Sequence, residues 1–294
     1  MRVNTRLGPA PVALESTLPL HGVPRPQAAP LLARLAQAIR DEHATPAIAA
    51  LVAGVPTLGL SDDELETLLA ADDIPKLNTA NLGLALHRKA HGATTVSTTM
   101  ELAAAAGVRV FATGGLGGVH RNYGRHFDIS ADLAALTRFP VAVVAAGVKS
   151  LLDVGATREA LETLGIPVIG FQTDAFPAFY LTESGFGVDG RFDDTDDLAA
   201  YVHAELARTG RGVLVVQPPP AEHAIEPARF EAWLREAEQL AANATGRDIT
   251  PAILSHLHHV SEGATLRTNV ELAVANAALA GRLAHAIERD HPSP

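Results

Sequence analysis

Residues Phe139 to Gly155, FPVAVVAAGVKSLLDVG, constrain the fold more than any other stretch of the chain. Six small or β-branched apolar residues, Val141 to Ala146, follow a proline and stop at Gly147. A short run without polar alternation is buried on both faces, as in a parallel strand covered by helices. Lys149 then stands at the C-terminal exit of that strand, just before a new element begins at Ser150. Open α/β sheets bind their ligands at this edge. Walled by Val and Ala, a lysine there is expected to lose hydration, which lowers its pKa and frees the amine to attack a carbonyl. The plainer alternative is a lysine snorkelling outward from a strand end.

The rest of the chain alternates in the same way. Helical spacing marks Pro30 to Glu42, Ser61 to Asp73, Met100 to Ala106, Thr157 to Leu164, Asp194 to Thr209, Pro227 to Ala242, Pro251 to Val260 and Asn269 to Ile287. Ser61 is an N-cap followed by an acidic first turn, which suits the helix dipole. Strands are expected at Pro46 to Val52, Val108 to Ala112, Val141 to Ala146, Ile166 to Gly170 and Gly212 to Val216. Strands separated by helices predict an α/β/α layered domain around a mixed, largely parallel sheet. No linker or repeat divides the 294 residues, so the expectation is one domain over residues 1–294.

Aromatic residues make up only 4% of the chain against 47% hydrophobic residues, so Ala, Val and Leu must build the core. A formal charge of -10 argues against a nucleic-acid partner, although a local pocket for one phosphate is compatible with it. The absence of cysteine excludes disulfides, thiolate metal sites and cysteine nucleophiles together. No continuous apolar stretch of about 18 residues is present, and the N-terminus has no signal-like apolar region. The expectation is a cytoplasmic protein with no membrane partner.

Several segments carry candidate chemistry. Thr113-Gly-Gly-Leu-Gly-Gly-Val-His120 follows an expected strand, and its four glycines let backbone N–H groups approach an anion or simply make a tight turn. Asp128-Ile-Ser-Ala-Asp132 pairs two carboxylates around a serine, which suits a hard divalent ion or a helix cap. At a helix start the two acids would share one face. Glu15 follows the apolar residues Val12 to Leu14, where its pKa would rise and favour general-acid work. The hydroxyl-rich Gly92 to Thr99 opens a helix, as a phosphate cradle or a capped start. In His256-Leu-His-His259, only His256 and His259 share a helical face, and an ordinary exposed helix explains them as well as a metal does.

Taken together, these segments resemble the pseudouridine-5′-phosphate glycosidases, which include the indigoidine-cluster A-type proteins. The matching motifs are ALEST (Ala13–Thr17), HGVPRPQ (His21–Gln27), GATTVSTTM (Gly92–Met100), VFATGGLGGVHR (Val110–Arg121), FDISADL (Phe127–Leu133), AAGVKSLLD (Ala145–Asp153) and FPAFY (Phe176–Tyr180). TPAILSHL (Thr250–Leu257) and LRTNVELAVANA (Leu266–Ala277) complete the set, which spans nearly the whole chain. The resemblance implies a homotrimer and a divalent metal, usually Mn²⁺. It implies Lys149 as the Schiff-base nucleophile, Glu15 as proton donor and Asp128 as metal ligand. Lys76, Val96, Ser130, Ala131 and Asp132 resemble substrate contacts, Thr113 sits with them in the glycine loop, and His120 and Asn269 look like residues facing the nucleobase.

The chemistry agrees with that assignment. Pseudouridine joins ribose to uracil through carbon, so there is no bridging oxygen to protonate and paired-carboxylate logic does not apply. The sugar must open so that its C1′ becomes an iminium on an amine. Glu15 would protonate the ring oxygen while Lys149 takes C1′; loss of uracil and imine hydrolysis then give ribose 5-phosphate. One segment departs from the family: Lys76-Leu-Asn-Thr-Ala-Asn-Leu82 stands where Lys-Val-Ser-Arg-Arg-Asp-Leu is common, so three charged positions are neutral. Some relatives form the C–C bond instead, joining ribose 5-phosphate to an aromatic polyketide, and that is the alternative activity. A retired sugar-phosphate-binding protein is a third reading, opposed by the retention of Glu15, Lys76, Asp128 and Lys149 together.

Overall fold

The computed structural model describes residues 1–121, 123–240 and 249–291. Its strands are β1 (Asn4–Thr5), β2 (Pro11–Leu14), β3 (Thr45–Val52), β4 (Val55–Leu58), β5 (Lys76–Leu77), β6 (Gly92–Thr94), β7 (Val110–Ala112), β8 (Ala142–Ala145), β9 (Val168–Phe171), β10 (Gly190–Phe192) and β11 (Val213–Val216). They form one sheet in the order β1-β4-β3-β2-β7-β8-β11-β9-β10, with β6 paired to β3 and β5 to β6. Pairing is parallel except for β3 with β4 and β3 with β6. The sheet is therefore mixed and mostly parallel, as the alternating pattern predicts.

The helices are α1 (Thr17–His21), α2 (Arg25–Asp41), α3 (Asp62–Ala70), α4 (Leu82–His87), α5 (Val96–Ala105), α6 (Tyr123–His126), α7 (Ala131–Arg138), α8 (Val154–Thr163), α9 (Thr195–Thr209), α10 (Pro227–Leu240), α11 (Ile249–Val260) and α12 (Ala264–Asp290). They cover both faces of the sheet. Ala142, Val144 and Ala146 point into a core shared with α2, α9 and α12. Val141, Val143 and Ala145 point into the opposite core, against α5, α7 and α8. This alternation between two cores explains why the run carries no polar residue: neither face of β8 meets water. Among the described residues α12 alone has the length and apolarity of a membrane span, but most of its apolar window is buried in the first core.

Several boundaries differ from the sequence expectation. β2 is a central strand, yet its four residues are too few to show a period. Gly92 to Thr94 does not open a helix; it is β6, and α5 starts only after the extended Thr95. A Cβ on Gly92 would lie 2.2 Å from Leu77 Cδ1, so β5 and β6 approach closely only because that residue is glycine. α2 begins at Arg25, ahead of the expected Pro30, and carries that proline inside it. Ser61 caps α3 as expected, in a full capping box with Glu64.

Candidate active site

β2 lies between β3 and β7, which the chain reaches in opposite directions, so the order reverses at the β2–β7 boundary. A crevice at the C-terminal ends of these strands is the ligand position of open α/β sheets. Glu15 directly follows β2 and Thr113 directly follows β7, and the Thr113 hydroxyl donates to Glu15 Oε1. Thr113 also presents its carbonyl to Asn276 Nδ2 at 2.8 Å, which holds α12 over the crevice.

Lys149 arrives from β8 through Gly147. Gly147 has φ +71°, and a Cβ there would sit 1.8 Å from the Pro177 carbonyl oxygen. Only glycine lets the Phe176–Tyr180 loop cross at this point. The crossing is fixed by Phe179 N–H donating to Ala146 O at 2.8 Å. Ser150 strengthens it, donating to Ala178 O at 2.5 Å and accepting from Tyr180 N–H at 3.2 Å. On the other side Leu116 donates to Gly147 O at 2.9 Å, and Lys149 N–H donates to Leu116 O at 3.1 Å. Lys76 comes from β5, whose Leu77 carbonyl accepts from Thr95 N–H at 2.9 Å and from Thr98 Oγ at 2.8 Å.

These pieces enclose a cavity of ≈ 400 Å³ whose wall includes Glu15, Lys76, Thr113, Lys149 and Asn269. That volume lies within the range of small-molecule sites. Burial pushes the Glu15 carboxyl up, against the pull of Lys149, the Thr113 bond and Lys76. Burial likewise pushes the Lys76 ammonium down, helped by repulsion from Lys149 and opposed by Glu15. The expectation of a Lys149 walled by Val and Ala is not met. Those residues end inside the sheet, and Lys149 stands past the glycine on a loop, exposed along its side chain. Lys76 is the lysine whose pKa the surroundings lower.

Six of the expected site residues lie outside this cavity wall: Val96, His120, Asp128, Ser130, Ala131 and Asp132. Val96 is buried as the first residue of α5, one strand pairing away from Lys76. Asp132 is buried, and its two oxygens accept from Ser97 N–H at 3.0 Å and Gly117 N–H at 2.9 Å. One carboxylate thus joins the start of α5 to the glycine loop. Ser97 N–H is capped from a distance, which makes the hydroxyl-rich segment a capped start at that donor. Ser130 is the N-cap of α7, accepting from Asp132 N–H at 3.2 Å, and Ala131 is the first helical residue. Gly117 has to be bare, because a Cβ there would lie 2.4 Å from Ser130 Oγ.

Asp128 precedes α7, so it does not share a helical face with Asp132. Its side chain is 62% exposed and lies 3.6 Å from His120 Nδ1. Among the described residues no three His, Asp or Glu side chains converge as a metal set. Asp128 and His120 offer a divalent ion two donors, with water and substrate left to complete its shell.

The sequence reading missed two histidines in the wall. His21, at the end of α1, is pushed down first by burial and next by Lys76. His258 on α11 is in the wall, whereas His256 and His259, the pair expected to share a face, are not. The repeated histidines signal a helix but not which face the next helix covers. Asn269 was foreseen, and its Oδ1 is buried without a hydrogen-bond partner. That oxygen is packed beside Gly114 in the glycine loop rather than open to the cavity. The neutral 76–82 segment has its own logic: Asn81 Oδ1 accepts from Asn78 N–H at 2.8 Å and Asn81 Nδ2 donates to Lys76 O at 3.1 Å. Two asparagines close this turn without charge.

An acid and two lysines at the switch point of a mostly parallel sheet define an α/β protein with a catalytic type of cleft. The family described as indigoidine synthase A like protein matches residues 4–286, and the chain belongs to it. A pseudouridine-5′-phosphate glycosidase of Salinispora tropica is 46% identical over 95% of this chain and 87% of its own length. One from Symbiobacterium thermophilum is 43% identical over 94% of this chain and 92% of its own. Among solved structures, an indigoidine synthase A-like protein of Thermotoga maritima superposes with TM-score 0.89 at 32% identity, covering 98% of this chain and 97% of its own. The prealnumycin C-glycosynthase AlnA, solved in complex with ribulose 5-phosphate, gives TM-score 0.90 at 30% identity, covering 99% of both chains.

Proposed function

We propose that this enzyme reversibly cleaves the C–C glycosidic bond of pseudouridine 5′-phosphate, giving uracil and ribose 5-phosphate. The observation that carries the reading is the meeting of Glu15, Lys149 and Lys76 in one cavity, with the Glu15 pKa raised. A raised pKa keeps a proton on Glu15, and protonation of the ring oxygen opens the ribose. The Lys149 amine bonds to C1′ as the C1′–O4′ bond breaks, and O4′ leaves as the protonated 4′-hydroxyl of the open chain. As the C1′–C5 bond breaks, the nitrogen lone pair forms the C1′ iminium while the bond's electron pair passes to uracil C5, which takes a proton, and hydrolysis of the iminium frees Lys149 and the aldehyde. Lys76 holds the phosphate, and that remote binding energy positions C1′. The test is direct: incubate the enzyme with pseudouridine 5′-phosphate and quantify uracil and ribose 5-phosphate. No release in either direction sinks the reading.

A second reading, C-ribosylation of an aromatic aglycone, is favoured by the apolar side of the cavity, where Leu18, Val23, Phe179, Leu254 and Leu266 stand. Supplying ribose 5-phosphate with uracil or with a polycyclic phenol separates the two. Manganese remains a proposal on Asp128: water proton relaxation should report Mn²⁺ bound by wild type and released in Asp128→Ala. A homotrimer in the cytoplasm completes the proposal, and sedimentation equilibrium tests the assembly.

A further inference from the structure

Asn276 is a buried amide on an apolar face of α12, with Leu272, Ala273, Leu279 and Ala280 beside it at helical spacing. An amide in such a place is costly unless its polar atoms are matched. Here they are. Asn276 Nδ2 donates to Thr113 O at 2.8 Å and to Gly114 O at 3.3 Å, and its Oδ1 accepts from Gln217 Nε2 at 3.0 Å. The two carbonyls can only accept, so the amide has a single orientation, with Gln217 as the donor to it.

Three neighbouring strands end around this amide, and a fourth ends one bond further on. Thr113 and Gly114 follow β7, Ala146 follows β8, Gln217 follows β11, and Glu15 follows β2. Thr113 N–H donates to Val144 O at 3.0 Å, so the sheet fixes that residue on its amino side. On its carbonyl side the chain runs into Gly114 and Gly115, where the backbone turns most freely. Asn276 fixes that side, sharing Gly114 O with Ala146 N–H, which donates to it at 3.0 Å. Gln217 is itself tied to the sheet, its N–H donating to Ala145 O at 3.2 Å. The Thr113 hydroxyl has one proton and gives it to Glu15 Oε1.

We infer that Asn276, its amide oriented by Gln217, is a positioning residue that aims the Thr113 hydroxyl at Glu15. It stands outside the cavity wall and acts through Thr113. Its part in turnover rests on Glu15 as the acid of the proposed glycosidase. Its effect on the Glu15 carboxyl can be read without turnover. The Thr113 bond holds that carboxyl down, so a hydroxyl no longer aimed at it lets the carboxyl rise further. Lys149, Lys76 and Asp132 are the charged groups that also act on Glu15, and the substitutions of the test leave all three in place.

The test is a double-substitution cycle read at the Glu15 carboxyl. Spectra of protein labelled with ¹³C-carboxyl glutamate, with Glu15→Gln identifying the signal, give the midpoint of its titration in each variant. Asn276→Leu, similar in outline but without the donors, should move that midpoint to higher pH, in the same direction as Thr113→Val. In the Thr113→Val background Asn276→Leu should move it no further, because no hydroxyl is left to aim. A residue that merely packs would lower the urea midpoint alike in both backgrounds and leave the titration where it was. Should Asn276→Leu fail to fold, Gln217→Leu at its half-buried position carries the test, with a smaller shift in the same direction. In turnover Asn276→Leu should lower kcat by up to ~10²-fold with KM kept, and its alkaline limb should follow the carboxyl midpoint. An unmoved midpoint, or additive shifts in the double variant, overturns the positioning role while leaving the activity intact. A moved, non-additive midpoint in a protein that releases no uracil keeps the positioning role and overturns the glycosidase reading.

Discussion

Two regions of this molecule use the same residue types for opposite ends. At the β2–β7 crevice, Glu15 is buried with a single hydrogen-bond donor and stands near two lysines, and its pKa is pushed up. At the glycine loop, Asp132 is the more deeply buried of the two and accepts one backbone N–H on each oxygen. A carboxylate satisfied on both oxygens is a clasp, and one left partly unsatisfied beside charges is a reagent. Burial alone does not tell them apart; the partners do.

The comparison breaks most sharply at Lys149. Borohydride reduction in the presence of ribose 5-phosphate should add one sugar phosphate at Lys149, and Lys149→Ala should leave no adduct and no turnover. An adduct mapped to Lys76, the lysine with the lowered pKa, would move the nucleophile to β5. Next in size is Glu15→Gln, which keeps the shape and removes the proton. We expect kcat to fall at least ~10²-fold, with phosphate affinity kept. Because the Glu15 pKa is raised, wild-type kcat should fall as pH climbs through that raised value, and the limb should vanish in Glu15→Gln. A limb that persists in the variant would assign it to another group.

Asp132→Ala sharpens the other side. Leaving Ser97 N–H and Gly117 N–H unpaired should cost about 2–4 kcal/mol of stability, read as a lower urea midpoint. The folded fraction should still form the Lys149 adduct. Loss of the adduct with stability unchanged would make Asp132 a substrate contact after all. The smallest effect belongs to Thr113→Val. The Thr113 hydroxyl bond holds the Glu15 pKa down, so removing it should move the alkaline limb of kcat to higher pH. A shift to lower pH would contradict the hydrogen bond's direction.

Much of the architecture is legible in the chain because its central strands are unusually plain. Val141 to Ala146 and Gly212 to Val216 are apolar throughout, and two opposed cores require that. β2 escaped notice because four residues carry no period, although it seats Glu15. In the site, Glu15, Lys76, Thr113, Lys149 and Asn269 were named from local context and resemblance, and all five meet in the cavity. His120 and Asp128 sit together outside it, and Val96, Ser130, Ala131 and Asp132 build the frame behind it.

What the sequence determined by itself is the set of elements and the chemical inventory. Periodicity, glycine at Gly147 and the absence of cysteine act over a few residues and leave their mark in the order of letters. What only the tertiary structure decided is which groups go unsatisfied. His258 rather than His256 or His259 lines the cavity because α12 presents Thr265 to it. Asn269 keeps an empty acceptor, and the pKa of Lys76 falls through burial first and through Lys149, which arrives from a distant strand, second. Hydrogen-bond satisfaction and desolvation depend on residues far apart in sequence, so they come into being only when the sheet and its two helical layers close.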